Sequence, residues 1–343
     1  MLNQVRDRLQ LDRALATVLA TRLWQAASGP ITIILLIRSL SLAEQGVYYA
    51  IIGIIGIQAY FELGLLNVLV SQAGHLWAMM ATNDPLSAPA TIDSQRTQAA
   101  ARMRDLIFAA LKWFAAASLL YAFCALAFGS YSLQDSDVAW QKPLFVLVPL
   151  AAVSVFLAPA LSILEGAGQR DLVYRFRLIQ MVVGSLVVWT TLAAGWKLWA
   201  LVASTFVQAA IALLVTFGVK GSFFRYYQKL DSPPSDFDWM HDVVPIQWRL
   251  ALISATFHFA TQFFVVIVVM FHSDQEAGPL GMTLSVTGAL QMLALAWVQT
   301  KYPVISAHHG AGQREVAGTI WRRTAVISTS LLIVGFLTLA VLI

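Results

Sequence analysis

The sequence predicts an all-α, polytopic membrane helical bundle of two pseudo-repeated lobes, six helices followed by an incomplete second lobe of about three. Three observations predict it. Of 343 residues 59% are hydrophobic and only 12% charged, with a mean hydropathy of +0.71, far from the composition of a soluble domain of this length. Apolar runs near or above the roughly 20 residues that cross a bilayer recur at 14–37, 46–74, 106–128, 143–164, 172–194, 198–219, 244–271, 278–300 and 324–343, which makes nine crossings. Basic residues, finally, concentrate in alternate connections between these runs.

The elements follow in order. The start, MLNQVRDRLQLD, is polar and charged and has no apolar core ending in small residues, so it does not read as a cleaved signal, and the first run is expected to stay as a span. The second run, opening EQGVYYAIIGIIGIQAYFELGLL, carries Glu62 near its middle. An unpaired carboxylate at that depth costs on the order of 3 kcal/mol, so this helix must have a lipid side and a wet or partnered side. Pro30, Pro149, Pro159, Gly53, Gly56 and Gly184 inside spans predict kinks. The connections 79–105 and 220–243 are rich in Pro, Ser and Asp and read as surface loops. The second of them separates a six-helix lobe, 1–219, from the incomplete lobe, 244–343. Apolar sequence continues to Ile343, which suggests a chain cut short.

Lys and Arg set the orientation. Arg6, Arg8, Arg13, Arg96, Arg102, Arg104, Arg170, Arg175, Arg177, Lys220, Arg225, Lys229, Lys301, Arg314, Arg322 and Arg323 fall in one set of connections, and only Arg38, Lys142 and Lys197 in the other. This asymmetry places the N-terminus in the cytoplasm, and the chain is expected to lie in the cell (inner) membrane. The net charge of +4 and pI near 9.3 therefore reflect topology, and no basic face is clustered for nucleic acid. The single cysteine, Cys124, allows no intrachain disulfide. No nucleophile and base pattern, nucleotide-binding glycine loop or metal-ligand cluster is visible, so the chain is expected to be no enzyme and to need no cofactor. His308 and His309 lack carboxylate or cysteine company.

A repeat crosses the divide. Arg22 and Trp24 precede Glu44, Gly46 and then Gln58, whereas Trp248 and Arg249 precede Glu276, Gly278 and then Gln291. On the first span Thr21, Gln25, Ser28 and Thr32 share one helical face near Arg22. The seventh repeats this with Gln247, Ser254, His258 and Thr261 or Gln262, and with Arg249 near its start. Stripes facing each other would line a cationic cavity suited to a phosphate or diphosphate. Each residue also has a plainer reading. Arg249 sits close enough to the helix start to snorkel to the headgroups, and Arg22, about a turn and a half deeper, fits either a cavity or a structural ion pair. Glu62, one turn from Gln58, could bind a coupling proton or sodium, contact sugar hydroxyls, or pair with Arg22. His258 fits a hydrogen-bonded interior position as well as a ligand position.

The stretch EQGVYYAIIGIIGIQAYFELGL with Ser71-Gln72-Ala73-Gly74-His75 resembles the second helix and following loop of bacterial oligosaccharide flippases. These form the polysaccharide transporter family of the multidrug, oligosaccharidyl-lipid and polysaccharide exporter superfamily. LEGAGQRDLVYRFRLIQ at 164–180 is similar to that family's connection between helices four and five, and GWKLWAL at 195–201 to its entry to helix six. The resemblance implies two lobes forming a V around a central cationic cavity. It implies movement of polyprenyl-diphosphate-linked oligosaccharide from the cytoplasmic to the outer leaflet by alternating access, for surface polysaccharide synthesis. Arg22 and Arg249 would hold the diphosphate, with Gln25, Gln58, Glu62 and His258 lining the sugar path or serving coupling. Partners would be the lipid-linked oligosaccharide, the bilayer, and glycosyltransferases or a polymerase of the same pathway. An ion-coupled drug or metabolite exporter and a non-transporting partner of an envelope synthesis complex stand as alternatives. The family carries twelve or more helices, and nine are counted here.

Overall fold

The architecture was obtained as a computed structural model, which describes residues 13–62, 64–81, 89–230, 237–261, 263–310 and 314–342. Every element among them is helical. The chain runs α1 (Arg13–Ser39), α2 (Leu42–Gly56), α3 (Gln58–Glu62), α4 (Leu65–Ala81), α5 (Pro89–Ser132), α6 (Gln141–Gly166), α7 (Arg170–Ala193) and α8 (Trp199–Leu213). It continues through a π-helical segment (Leu214–Val219) to α9 (Gly221–Lys229), α10 (Trp239–Asp242), α11 (Val244–Thr261), α12 (Phe263–Phe271), α13 (Asp274–Gly310) and α14 (Arg314–Leu342).

Seven helical stretches among the described residues are long and apolar enough to cross a membrane: Ala20–Ser39, Leu42–Glu62, Arg96–Ser132, Gln141–Gly166, Arg170–Ala193, Trp199–Val219 and Arg314–Thr338. This is a multi-pass membrane protein. They correspond to the first six and the last of the expected crossings. The seventh falls on α11 and α12, and the eighth lies within the longer α13. Leu119, Phe123, Phe206, Phe217 and Leu337 are among many large apolar side chains left exposed, as a lipid-facing surface requires.

Three local expectations change. The run 46–74 is not one helix, because it breaks after Gly56 and again at Gly64, which adopts φ +66°. The connection 79–105 is helical from Pro89 onward, so α5 has 44 residues and spans about 66 Å at 1.5 Å per residue. Within 220–243, α9 is an amphipathic helix that lays Tyr227 against the bundle and turns Arg225 and Lys229 outward, and α10 is a single turn capped by Asp238. Burial raises the Tyr227 phenol to about 12, so its hydroxyl stays neutral and donates to Met80 Sδ at 3.7 Å. Arg104 extends the docking by donating from Nη1 to the Leu230 carbonyl at 3.3 Å.

The packing follows small residues and indoles. α1 lies along α7, where Trp24 Nε1 donates to Ser185 Oγ at 3.3 Å, Trp189 Nε1 donates to Thr32 Oγ1 at 2.9 Å, and the two indoles stand 5.9 Å apart. α2 starts with a capping box built by Ser41 and Glu44, and Glu44 also receives Lys197 Nζ at 2.6 Å. α2 then crosses α13 at backbone contact. A Cβ on Gly46 would lie 1.9 Å from the Asp274 carbonyl oxygen, and one on Gly278 would lie 2.7 Å from that of Leu42. The pairs Gln45-Gly46 and Ala277-Gly278, read in the sequence as equivalent positions of a repeat, therefore meet each other. The neighbours are reciprocal as well: α1 packs on α13, while α11 packs on α3 and α4. A two-fold relation between the first two spans and the seventh and eighth has this contact pattern.

Candidate functional site

The break in the second crossing makes the site. α2 ends when the Ile57 amide turns back to the Ile54 carbonyl at 3.2 Å, three residues away rather than four. Tyr121, fully buried on α5, reaches this point, donates its hydroxyl to the Ile55 carbonyl at 3.2 Å, and meets Phe61 edge-on at 5.8 Å. A broken helix at membrane depth needs such a replacement partner for its backbone. The five residues of α3 then carry Gln58 and Glu62, both half-buried, and the positive φ of Gly64 redirects the chain into α4.

Below the break lies a cavity of about 330 Å³ lined by Glu62, Asn67, Ser162, Glu165 and Arg177. Its far wall is fixed by glycine. A Cβ on Gly166 would lie 2.4 Å from the Val70 carbonyl oxygen and 2.8 Å from Ala73 Cβ, so α6 presses backbone against α4 there and delivers Ser162 and Glu165 beside Glu62. Gly168, at φ +77°, makes the tight turn into α7, which brings Tyr174 and Arg177 back over Glu165. The Glu165 carboxylate is fully engaged: Arg177 Nη2 lies 2.9 Å from Oε2, Tyr174 donates its hydroxyl to Oε1 at 2.8 Å, and the guanidinium stands 5.9 Å from the Tyr174 ring centroid.

Glu62 is the contrasting group. Among the described residues its carboxylate has no hydrogen-bond or ion-pair partner. The cavity therefore holds one neutralised carboxylate and one uncommitted carboxylate, with the Asn67 amide and Ser162 hydroxyl between the walls. A carboxylate so placed can take up a proton or a small cation, because either removes the cost of an unpaired charge. Arg177→Gln would leave Glu165 with Tyr174 alone. We expect it to cost about 2 kcal/mol in a denaturation series, less than a fully buried pair because the Arg177 side chain is 44% exposed. The additional Glu165→Gln change should restore most of that loss.

The structure places Arg22, Gln25, Gln58 and Arg249 outside the lining of this cavity. Arg22 donates from Nη1 to Gln25 Oε1 at 3.1 Å along α1, and it makes no ion pair with Glu62. The stripe on α1 is occupied locally: Thr21, Ser28 and Thr32 return their hydroxyls to carbonyls of α1, and Thr32 also serves Trp189. Arg249 is exposed and lies 5.6 Å over the Trp248 ring, while the buried polar residue at that end of α11 is Gln247. Because α11 packs on α3 and α4, and α1 packs on α7 and α13, the two arginines are on helices that are not principal neighbours. The side chain of His258, on α11, lies outside the described residues.

Glu165, Tyr174 and Arg177 were missed as site residues. Their signal was in the sequence, as a carboxylate before a Gly-rich turn followed by a tyrosine and an arginine three residues apart, yet Arg177 was counted for orientation only. No group of three or more His, Cys, Asp or Glu side chains able to hold a metal ion occurs among the described residues.

No family model matches the sequence, and no curated protein matches it. Comparison with solved structures finds the MATE multidrug transporter DinF-BH, solved in complex with R6G. It superposes with a TM-score of 0.52 at 13% identity, over 94% of this chain and 70% of that one. The chain has the fold of a MATE transporter. That fold carries the all-helical architecture expected from composition. At this identity the likeness shows the fold alone. In this fold the Gly46 and Gly278 crossing joins α2 to α13, and the Glu62 cavity lies between the second crossing and α6 and α7.

Proposed function

We propose that this chain is a cation-coupled transporter that moves polyprenyl-diphosphate-linked oligosaccharide across the membrane by alternating access, with no catalysis of its own. The basic end of the bundle faces the cytoplasm in this reading, as the distribution of Lys and Arg requires. The observation that carries coupling is the uncommitted Glu62 carboxylate in a polar cavity at a helix break. Loading it with a proton or sodium changes the charge at a joint in the second crossing, and that crossing also makes the backbone contact with α13. A local charge change can thus bias a two-state packing.

The cargo reading rests on the resemblance of 44–75 and 164–180 and on Arg22, a half-buried guanidinium on the leading helix. A drug or metabolite exporter is the second reading. It is favoured by the engagement of both arginines, Arg22 with Gln25 and Arg249 over Trp248, which leaves no shared cationic vault in this arrangement. A non-transporting partner of a synthesis complex has no structural observation in its favour. The test is flipping of a lipid-diphosphate-linked sugar in proteoliposomes with wild type and Arg22→Ala. We expect loss of flipping with unchanged insertion. Flipping unaffected by the substitution, with ion-dependent efflux of amphipathic cations instead, would assign the exporter reading.

A further inference from the structure

A second concavity lies on the outside of the bundle, away from Glu62. It is a groove of about 470 Å³ between α5, α6, the π-helical segment and α9, with Phe108, Phe156, Leu157, Phe217 and Phe224 among its walls and Thr216, Arg225 and Gln228 as polar groups. Its volume is that of a ligand site, and its walls are apolar with few polar groups, as such sites are.

Two independent features mark it. The first is Thr216. Thr21, Thr32, Thr190, Thr191, Thr256, Thr283, Thr287, Thr319, Thr324 and Thr338 all give their hydroxyls to the carbonyl four residues back. Thr216 does not. It lies in the π-helical segment, where the chain widens by one residue per turn, it is only 5% exposed, and its Oγ1 has no partner. A buried hydroxyl left unmatched costs free energy that a ligand acceptor would recover, and π-helical segments recur at functional positions. The second is charge. The segment from Leu214 to Lys229 carries Lys220, Arg225 and Lys229 and no carboxylate. Arg225 gives Nε to the Gly221 carbonyl at 3.2 Å and has no acidic partner among the described residues. α9 itself is a short amphipathic helix at the basic end of the bundle, the placement of a helix that lies in the headgroup plane.

We infer that this groove is a binding site for one anionic phospholipid of the leaflet at the basic end. An acyl chain fills the aromatic walls, the phosphate meets Arg225, and an ester or glycerol oxygen accepts from Thr216. The site is separate from the transport cavity, so it stands or falls independently of the proposed function.

Native mass spectrometry of the full chain, released from detergent after titration with phosphatidylglycerol or phosphatidylethanolamine, tests it. Wild type should retain phosphatidylglycerol roughly fivefold better, the factor expected of about one cation against an anionic lipid. Arg225→Gln should reduce that retention to the phosphatidylethanolamine level. Thr216→Val should weaken retention of both lipids while raising the melting temperature of the lipid-free protein, opposite signs that a purely structural threonine would not give. Equal retention of the two lipids by wild type, or unchanged selectivity in Arg225→Gln, would overturn the inference. Displacement of the lipid by soluble glycerol phosphate at matched concentration would also overturn it, by showing a phosphate site with no use for the acyl chain.

Discussion

Replacing Glu62 by glutamine should, under the proposed coupling, remove the dependence of transport on an imposed ion gradient and leave a protein that still inserts and folds. Glutamine keeps the size and hydrogen-bonding reach of the side chain, so the break between Gly56 and Gly64 and the Tyr121 bond to Ile55 survive. What is lost is the ionisable group. Among the described residues no ion pair depends on Glu62, so its removal strands no cation, in contrast with Glu165, whose removal would strand Arg177. The expected loss of gradient-driven flux is roughly 5- to 150-fold, the range that a coupling free energy of about 1–3 kcal/mol covers. Flux measured in proteoliposomes with and without a pH or sodium gradient gives the answer. Equal gradient stimulation in wild type and Glu62→Gln would remove Glu62 from coupling. Glu62→Asp, which keeps the charge on a shorter arm, should retain part of the stimulation.

The second large effect is expected at the crossing of α2 and α13. A Cβ on Gly46 would fall 1.9 Å from a backbone carbonyl, and no side-chain rotamer can relieve a backbone clash, so Gly46→Ala must push the two helices apart. The penalty is about 1–3 kcal/mol against this packing. Its functional consequence is larger than its effect on stability. Under the proposed alternating access this crossing must close as well as open, and a variant that cannot close accumulates in one state. Transport should fall to background while the melting temperature drops only modestly. Labelling reports the opening directly. Ser136, which donates its hydroxyl to Asp274 beside the crossing, can be changed to cysteine in a Cys124→Ser background. Its reaction with a polar maleimide should accelerate in Gly46→Ala. Unchanged labelling with normal flux would show that the crossing is not a moving contact. Gly278→Ala, with its Cβ 2.7 Å from the Leu42 carbonyl, should act in the same direction.

Much of the fold was legible along the chain. Apolar runs and the alternation of Lys and Arg gave the crossings that α1, α2, α5 to α8 and α14 realise, because membrane insertion scores each segment nearly on its own. The equivalence of 44–46 with 276–278 was visible, and the close approach of Gly46 and Gly278 gives it a structural meaning. The site was legible only in part. Glu62 stood out because one carboxylate in an apolar run is costly wherever it packs. The facing of Arg22 and Arg249 was not readable from two polar stripes, since the α1 stripe is used up by helical carbonyls and by Trp189.

By itself, then, the sequence determined that this is an all-helical, multi-pass membrane protein, where its apolar segments lie, and that one of them carries a carboxylate needing a partner. Only the tertiary structure decided that the second crossing breaks on either side of Gln58–Glu62, that Glu165 and Arg177 share a cavity with Glu62, and that Gly46 meets Asp274 and Gly278. The physical reason is the range of the forces involved. Hydropathy and charge act on a segment through the solvent around it, so they can be summed along the chain. Which backbone a glycine admits, and which carboxylate a neighbouring guanidinium neutralises, depends on contacts a few ångströms long between segments far apart in sequence.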